Sequence, residues 1–341
     1  MTVMLHRFAK FLVACTVLLI LAGSLVTSHD AGLSVPDWPT SYGWNMFTFP
    51  PSMWVANIFY EHGHRLIAST VGFLTIILAV WLWLADSRRW LRWFGVAALG
   101  AVIAQGVLGG ITVLFFLPDA VSTAHAGLAE IFFGMTVAIA LFTSPGWMAG
   151  YATAKAVPAA DDVTLRRLAT AVTVLIYAQI LVGATMRHTG AGLAIPDFPW
   201  MFGHVVPDHW NAKIALHFAH RVGALLVTLG TLTLAGYVWS QHRGRRELMR
   251  PAALILALVA TQVTLGALTV LTRRDAWVNS FHVVCGALVL TTSLVVTLRS
   301  WRVRFAHEIR EPSARRSQRI ETPLISASSA SSAVKRDEAR A

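Results

Sequence analysis

The 341-residue chain is 55% hydrophobic and only 13% charged, about half the charged fraction of a soluble domain. Several apolar runs reach the ~18–20 residues that cross a bilayer. The formal charge of +11 sits in short inter-span segments and the C-terminal region. That is the pattern of cytoplasmic loops and not of a nucleic-acid surface, so a soluble enzyme and a nucleic-acid binder are both excluded.

Eight spans are predicted, near residues 10–28, 62–84, 92–114, 122–143, 166–187, 214–240, 250–272 and 279–300. The fold class expected is an all-α polytopic membrane protein. The first run leads straight into a loop that recurs later, so it reads as a retained helix and not a cleaved signal. No Arg/Ser-rich leader precedes it. The even-numbered loops carry Arg88, Arg89, Arg92, then Lys155, Arg166, Arg167, then Arg243, Arg245, Arg246 and Arg250, whereas residues 29–60 hold no Lys or Arg. Both termini are therefore expected on the cytoplasmic side, with Arg273 and Arg274 as the discordant pair. Cys15 and Cys285 fall inside apolar runs and read as packing residues. Residues 305–341, rich in Ser, Ala and Arg, are expected to form a disordered basic tail that can touch anionic lipid.

The chain repeats itself. Ala31-Gly32-Leu33-Ser34-Val35-Pro36-Asp37-Trp38-Pro39 returns as Ala191-Gly192-Leu193-Ala194-Ile195-Pro196-Asp197-Phe198-Pro199, 160 residues later. His64-Arg65 returns as His220-Arg221, and the stretch Gln105 to Val113 as Gln262 to Val270, followed by His125 and His282. Four spans separate the copies, so both have the same orientation. Two tandem four-helix bundles related by a pseudo-two-fold axis are expected. The first occupies residues 1–150 and the second 151–304.

The chemistry concentrates at Glu61-His62-Gly63-His64-Arg65, where ionisable groups enter an apolar run. Glu61 and His64 are i, i+3 and share a helix face, whereas His62 points about 160° from His64. His62 is thus expected to be a solvated or interfacial bystander. One buried histidine is an ordinary packing residue. Four, paired by the repeat at one depth, are expected to be ligands, and two facing imidazoles per bundle suit the axial positions of a haem iron. A structural zinc wants four ligands. A non-haem iron held by Glu61, His64 and His125 is a rival that explains only the first half. Glycines in Gln105-x3-Gly109, Gln179-x3-Gly183 and Gln262-x3-Gly266 let a flat ring, or another helix, approach the backbone. The aromatic segments around Trp44 and Trp200 are expected to cap the outer mouths, and Asp37 and Asp197 to form turns. Arg65 and Arg221 either snorkel or pair with haem propionates. The copies differ at one key position: His217 stands where the first half has Glu61. A carboxylate acts as a base or stabilises positive charge, so the first bundle is expected to hold the reacting group and the second a permanent redox cofactor.

Glu61-x-x-His64-Arg65, His125, His220-Arg221 and His282, on eight repeated spans, resemble the haem A synthase family over about residues 10–300. The resemblance implies that the first bundle binds haem O through His64 and His125 and oxidises a ring methyl to formyl, with Glu61 catalytic. It implies haem b between His220 and His282, and makes this an oxidoreductase of the bacterial inner membrane. Haem O synthase, cytochrome oxidase assembly factors and a second copy of the chain are the implied partners. Many family members carry two cysteines in the first outer loop, where this chain has Ser34 and Ser41, so a thiol-disulfide role there is unavailable. A non-enzymatic di-haem electron carrier is the alternative reading.

Overall fold

A computed structural model describes residues 2–148 and 161–320. Among these residues every long element is helical. The eight long helices are α1 (Thr2–Ser28), α2 (Asn57–Ala85), α3 (Arg89–Leu114), α4 (Asp119–Phe142), α5 (Val163–His188), α6 (Ala212–Gln241), α7 (Arg246–Leu271) and α8 (Ala276–Ile320). All eight are long and apolar enough to cross a membrane. A single helical turn, Pro145–Met148, follows α4. The boundary placed after residue 150, Lys155 and the Ser/Ala stretch 326–333 lie outside the described residues.

Helices α1 to α4 pack in a ring, each on the next and α1 on α4. Helices α5 to α8 do the same. The rings meet where α1 packs on α8, α4 on α5, and α4 on α8. Packing follows the repeat residue by residue. Leu5, Ala9 and Leu12, spaced i, i+4, i+7, are buried as are Leu165, Ala169 and Val172. Leu78, Ala79 and Leu82 correspond to Leu234, Ala235 and Val238, and Leu91 to Leu248, all buried. One apolar stripe on each helix thus faces its own ring. These cores lie toward the end of the molecule that bears the arginine-rich connections.

That end is held by charge pairs. Arg88 bonds Asp86 at 2.6 Å and the Phe142 carbonyl at 2.9 Å. Arg166 pairs with Asp161 at 2.6 Å and lies over the Trp301 ring. Asp162 caps α5 through the Leu165 N–H and also accepts from Tyr237 and His242.

Two boundaries differ from the sequence reading. Helix α1 starts at Thr2 and not near residue 10, because Leu5 and Ala9 extend its buried stripe and His6 Nδ1 meets the Ala140 carbonyl. The segment expected to be disordered from 305 is helical to Ile320. Elongating an existing helix needs no new nucleation, and Arg, Ala and Glu are good helix formers.

At the opposite end, residues 29–56 and 189–211 form two similar folded loops. Asp37 accepts the N–H groups of Tyr42 and Gly43 and the Thr40 hydroxyl. Asp197 accepts those of Phe202 and Gly203, so both aspartates form turns as expected. Tyr42 and Gly43 lie at φ 52° and 78°, Phe202 and Gly203 at 59° and 82°. The second residue of each pair is the one type that adopts that region freely. Burial works to raise the Asp37 carboxyl, but the Gly43 N–H, the Thr40 hydroxyl and the Tyr42 N–H outweigh it and hold it below the ordinary carboxylate value.

Candidate functional site

The four repeated histidines sit six to eight residues inside α2, α4, α6 and α8, roughly 9–12 Å from the helix starts at 1.5 Å per residue. Each ring lies against a glycine of the preceding helix. A β-carbon added at Gly23 would stand 2.9 Å from His64 Cε1, and one at Gly183 the same 2.9 Å from His220 Cε1. At Gly109 and Gly266 the corresponding distances to His125 and His282 are 3.3 and 3.0 Å. A side chain at any of these four positions would crowd the imidazole. Each ring of helices therefore carries one of the pairs that the repeat suggested.

Buried nitrogens without partners remain in the first ring: His64 Nδ1 and His125 Nδ1 have no hydrogen bond. Two buried imidazoles within one ring of helices, each with an idle nitrogen and each seated on a glycine, are a donor set that fits a haem iron. No three His, Cys, Asp or Glu side chains gather into a metal-holding cluster among the described residues. The rival arrangement of Glu61, His64 and His125 around one non-haem iron is therefore not formed.

Glu61 is 3% exposed. Its Oε2 accepts the Val35 N–H at 2.8 Å and its Oε1 the Arg65 guanidinium at 2.6 Å. At the matching place His217 Nδ1 accepts the Ile195 N–H at 3.2 Å. Position 61/217 thus anchors the loop in both halves, and the first half alone adds a buried charge.

The terminal nitrogens of Arg65 turn toward Glu61 and the first loop. Besides Glu61, Arg65 donates to the carbonyls of Val35, Asp37 and Thr40 at 2.8, 2.7 and 3.0 Å. Arg221 holds the carbonyls of Ile195, Asp197 and Trp200. Both arginines clamp the loops onto the helix ends, because loop carbonyls removed from water need donors.

His62 is no solvated bystander. It is 0% exposed, bonded through Nδ1 to Ser41 Oγ at 3.1 Å and flanked by Phe49 and Trp54 at 4.8 and 4.7 Å between ring centres. The helical wheel placed it away from His64 correctly. It could not show that the first loop folds over that face. Ser41 itself is fully buried, and Ser34 receives the Tyr42 hydroxyl at its carbonyl. Trp38 lies against Gly110 so closely that a β-carbon there would meet its ring at 2.5 Å, which seats the first loop on α3. Cys15 and Cys285 are free thiols.

Two groups escaped the sequence reading. Glu130 is 5% exposed, near the middle of α4, and its Oε2 has no partner. Gly127, one turn earlier, touches Tyr177 and Leu181 of α5, so that side of α4 lines the seam between the rings. An acid alone in an apolar run was the available signal. Arg187 of α5 donates to the Ser24 carbonyl and to Ser28 Oγ of α1, at 2.7 and 2.8 Å, where Asn279 and Ser280 of α8 join it. It ties the two rings together at the histidine-bearing end.

Residues 6–294 match the family described as cytochrome oxidase assembly protein, COX15-CtaA. A protein of Halalkalibacterium halodurans named heme A synthase is 28% identical over 302 residues, 86% of this chain and 97% of its own length. Those of Shouchella clausii and Symbiobacterium thermophilum carry the same name. They are 30% identical over 80% of this chain and 89% of theirs, and 32% identical over 75% and 82%.

Proposed function

The chain belongs to the COX15-CtaA family of cytochrome oxidase assembly proteins, and on that premise we propose that it is a membrane enzyme that makes haem A from haem O. The family and the eight apolar helices make it a multi-pass membrane protein. The observation that carries the finer reading is an inequality: two matching histidine pairs, with a buried carboxylate beside one of them alone.

In this proposal His64 and His125 hold the haem O substrate in the bundle built from residues 1–150. His220 and His282 hold haem b in the bundle of residues 151–304, and a pseudo-two-fold axis along the membrane normal relates the two. Bound haem b supplies one-electron transfer. Oxidising the ring methyl to a formyl group removes four electrons and four protons overall and adds one oxygen atom at the level of water. The protein's part is to receive protons and to steady positive charge at that carbon. Glu61 takes both roles in this proposal. The carboxylate keeps acceptor capacity after accepting from Arg65 and Val35, and charge stabilisation is stronger where water is scarce. The folded first loop, clamped by Arg65, keeps water from that mouth. The haem-bearing end faces away from the cytoplasm, both termini face it, and the host membrane is a bacterial inner membrane. Haem O synthase delivers the substrate, and oxidase assembly factors take the product.

The test is the haem extracted after co-expression with a haem O synthase. Formyl-bearing haem is the expected result. Haem b alone in both bundles is the result of a di-haem electron carrier and would overturn the proposal.

A further inference from the structure

One buried acid has no part in the proposed reaction. Glu130 is 5% exposed and its Oε2 has no hydrogen-bond partner. It stands five residues beyond His125 on α4, about 7.5 Å further along the axis at 1.5 Å per residue. Gly127 and Gly134 flank it at i−3 and i+4, so the three share one stripe. A β-carbon at Gly127 would stand 2.7 Å from Leu181 and 3.2 Å from the Tyr177 hydroxyl of α5, and one at Gly134 would stand 3.3 Å from Leu294 of α8. Helices α5 and α8 belong to the second ring, so this stripe of α4 places Glu130 between the two rings, near the middle of the span.

No charge of opposite sign meets it there. Helix α4 packs on α1, α3, α5 and α8. Over residues 11–28, 93–114, 168–186 and 283–298 these helices bring no Lys, Arg, His, Asp or Glu, and their titratable groups are Cys15, Tyr177 and Cys285. Cys15 packs against the apolar core of the first ring, and Cys285 donates to the Leu258 carbonyl of α7. Tyr177 is the one that faces the stripe, with its hydroxyl 3.4 Å from the Gly127 carbonyl. Packing does not require the acid either. At the matching place on α8, 157 residues later, stands Ala287, 1% exposed.

A lone carboxylate is costly to bury, so such a group keeps a proton until a positive charge comes near. A haem iron supplies that charge, because its ferric form carries one more positive charge than its ferrous form. In a medium of low dielectric the difference is felt well beyond contact distance. Ferric haem therefore favours the ionised acid and ferrous haem the protonated one. By linkage, the bound proton favours reduction by the same factor.

We infer that Glu130 is a redox-linked proton site between the two bundles, which takes up one proton when a neighbouring haem gains an electron and releases it when the electron leaves. This rests on the reading that each ring of helices holds a haem. On reduction one electron enters the iron and one proton joins a carboxylate oxygen, so the net charge at the seam is unchanged. In the proposed reaction the electrons come from the ring methyl, which gives up four of them with four protons. In the test they come from dithionite and return to ferricyanide.

Redox titration of the intact, haem-loaded protein at a series of pH values tests the assignment. His125→Ala and His282→Ala proteins assign each midpoint to its ring. In the parent the midpoint potential should fall as pH rises, by up to about tenfold in the reduction equilibrium per pH unit where Glu130 titrates. Glu130→Gln keeps the shape, removes the titration and should flatten that dependence. Glu130→Asp should retain part of it. Glu130→Ala, which copies the second half, serves if the glutamine variant folds poorly. The reduced-minus-oxidised infrared spectrum should contain a protonated-carboxyl band that shifts in heavy water and is absent from Glu130→Gln. The same pH dependence and the same carboxyl band in parent and Glu130→Gln would overturn the inference, since a merely structural acid moves neither. A parent protein that carries haem in neither ring would overturn the reading of two haem sites, and the inference with it.

Discussion

Glu61 and His217 perform the same structural task in the two halves of the chain: each receives the backbone N–H of the residue that enters its loop's Pro-Asp turn, Val35 at 2.8 Å and Ile195 at 3.2 Å. Anchoring and charge can therefore be separated at position 61. Glu61→His should leave the first loop folded, since the second half shows that an imidazole can accept this bond, yet haem A should fall to traces. Glu61→Gln should do likewise while still binding haem O, with a rate loss of roughly 10²–10⁴ as for other general bases. Glu61→Asp should retain slightly more. Extracted haem, measured beside protease resistance of the loop, checks all three. Near-normal haem A from Glu61→Gln would reduce Glu61 to an anchor.

The two arginine clamps should respond unequally to removal. Arg65→Met deletes four hydrogen bonds and strands a buried carboxylate, a class of change that costs about 3–5 kcal/mol. Arg221→Met deletes three bonds to carbonyls and no ion pair. Thermal unfolding in detergent should show the larger loss for Arg65→Met. Adding Glu61→Gln to that variant should recover part of it. Equal losses without recovery would contradict the buried ion pair.

Each second-bundle ligand can be removed without its neighbour. His220→Ala or His282→Ala should eliminate haem b and leave the first bundle able to bind haem O, because every proposed ligand pair lies within one ring of helices. Optical spectra of the purified variants decide the matter. Loss of all haem from a stably inserted His282→Ala protein would show that the sites are not independent.

The first loop should loosen in acid. The Asp37 carboxyl titrates below its ordinary value in the folded loop. Its contribution to stability is therefore complete above the ordinary aspartate value of about 4 and is lost as pH falls through the lower folded value. Amide protection factors at Tyr42 and Gly43, taken against the intrinsic rate at each pH, should fall over that acid window in the parent protein. In Asp37→Asn they should be lower at neutral pH and insensitive to the same change.

Orientation is open to direct measurement. A reporter fused after Pro50 should be active only in a non-cytoplasmic compartment, and one after Ser240 only in the cytoplasm. The reverse pattern at both positions would move the proposed haem sites to the other side of the membrane.

The spans and the histidine pairs were legible in the sequence because each depends on local hydropathy or on a repeat that can be aligned by eye. The fates of His62 and Arg65 were not. Both are decided by residues 29–56, whose fold depends on contacts made some 21–30 positions away in sequence. Glu130 was visible as an acid in an apolar run, but its place at the seam follows from which face of α4 meets α5. The end of α8 was misjudged for a different reason. Composition describes a segment in isolation, whereas residues after 305 extend a helix that is already nucleated.

Among the described residues α1 packs on α8, α4 on α5 and α4 on α8, and Arg187 adds polar bonds between α5 and α1 at one end. The spacing between the two proposed haem sites is thus set by side-chain packing. A gene cut between the codons for residues 150 and 160 should yield two polypeptides that find each other in the bilayer and restore one working unit. The same surface would let an ancestral single-repeat protein function as a pair before the two copies were fused and allowed to specialise.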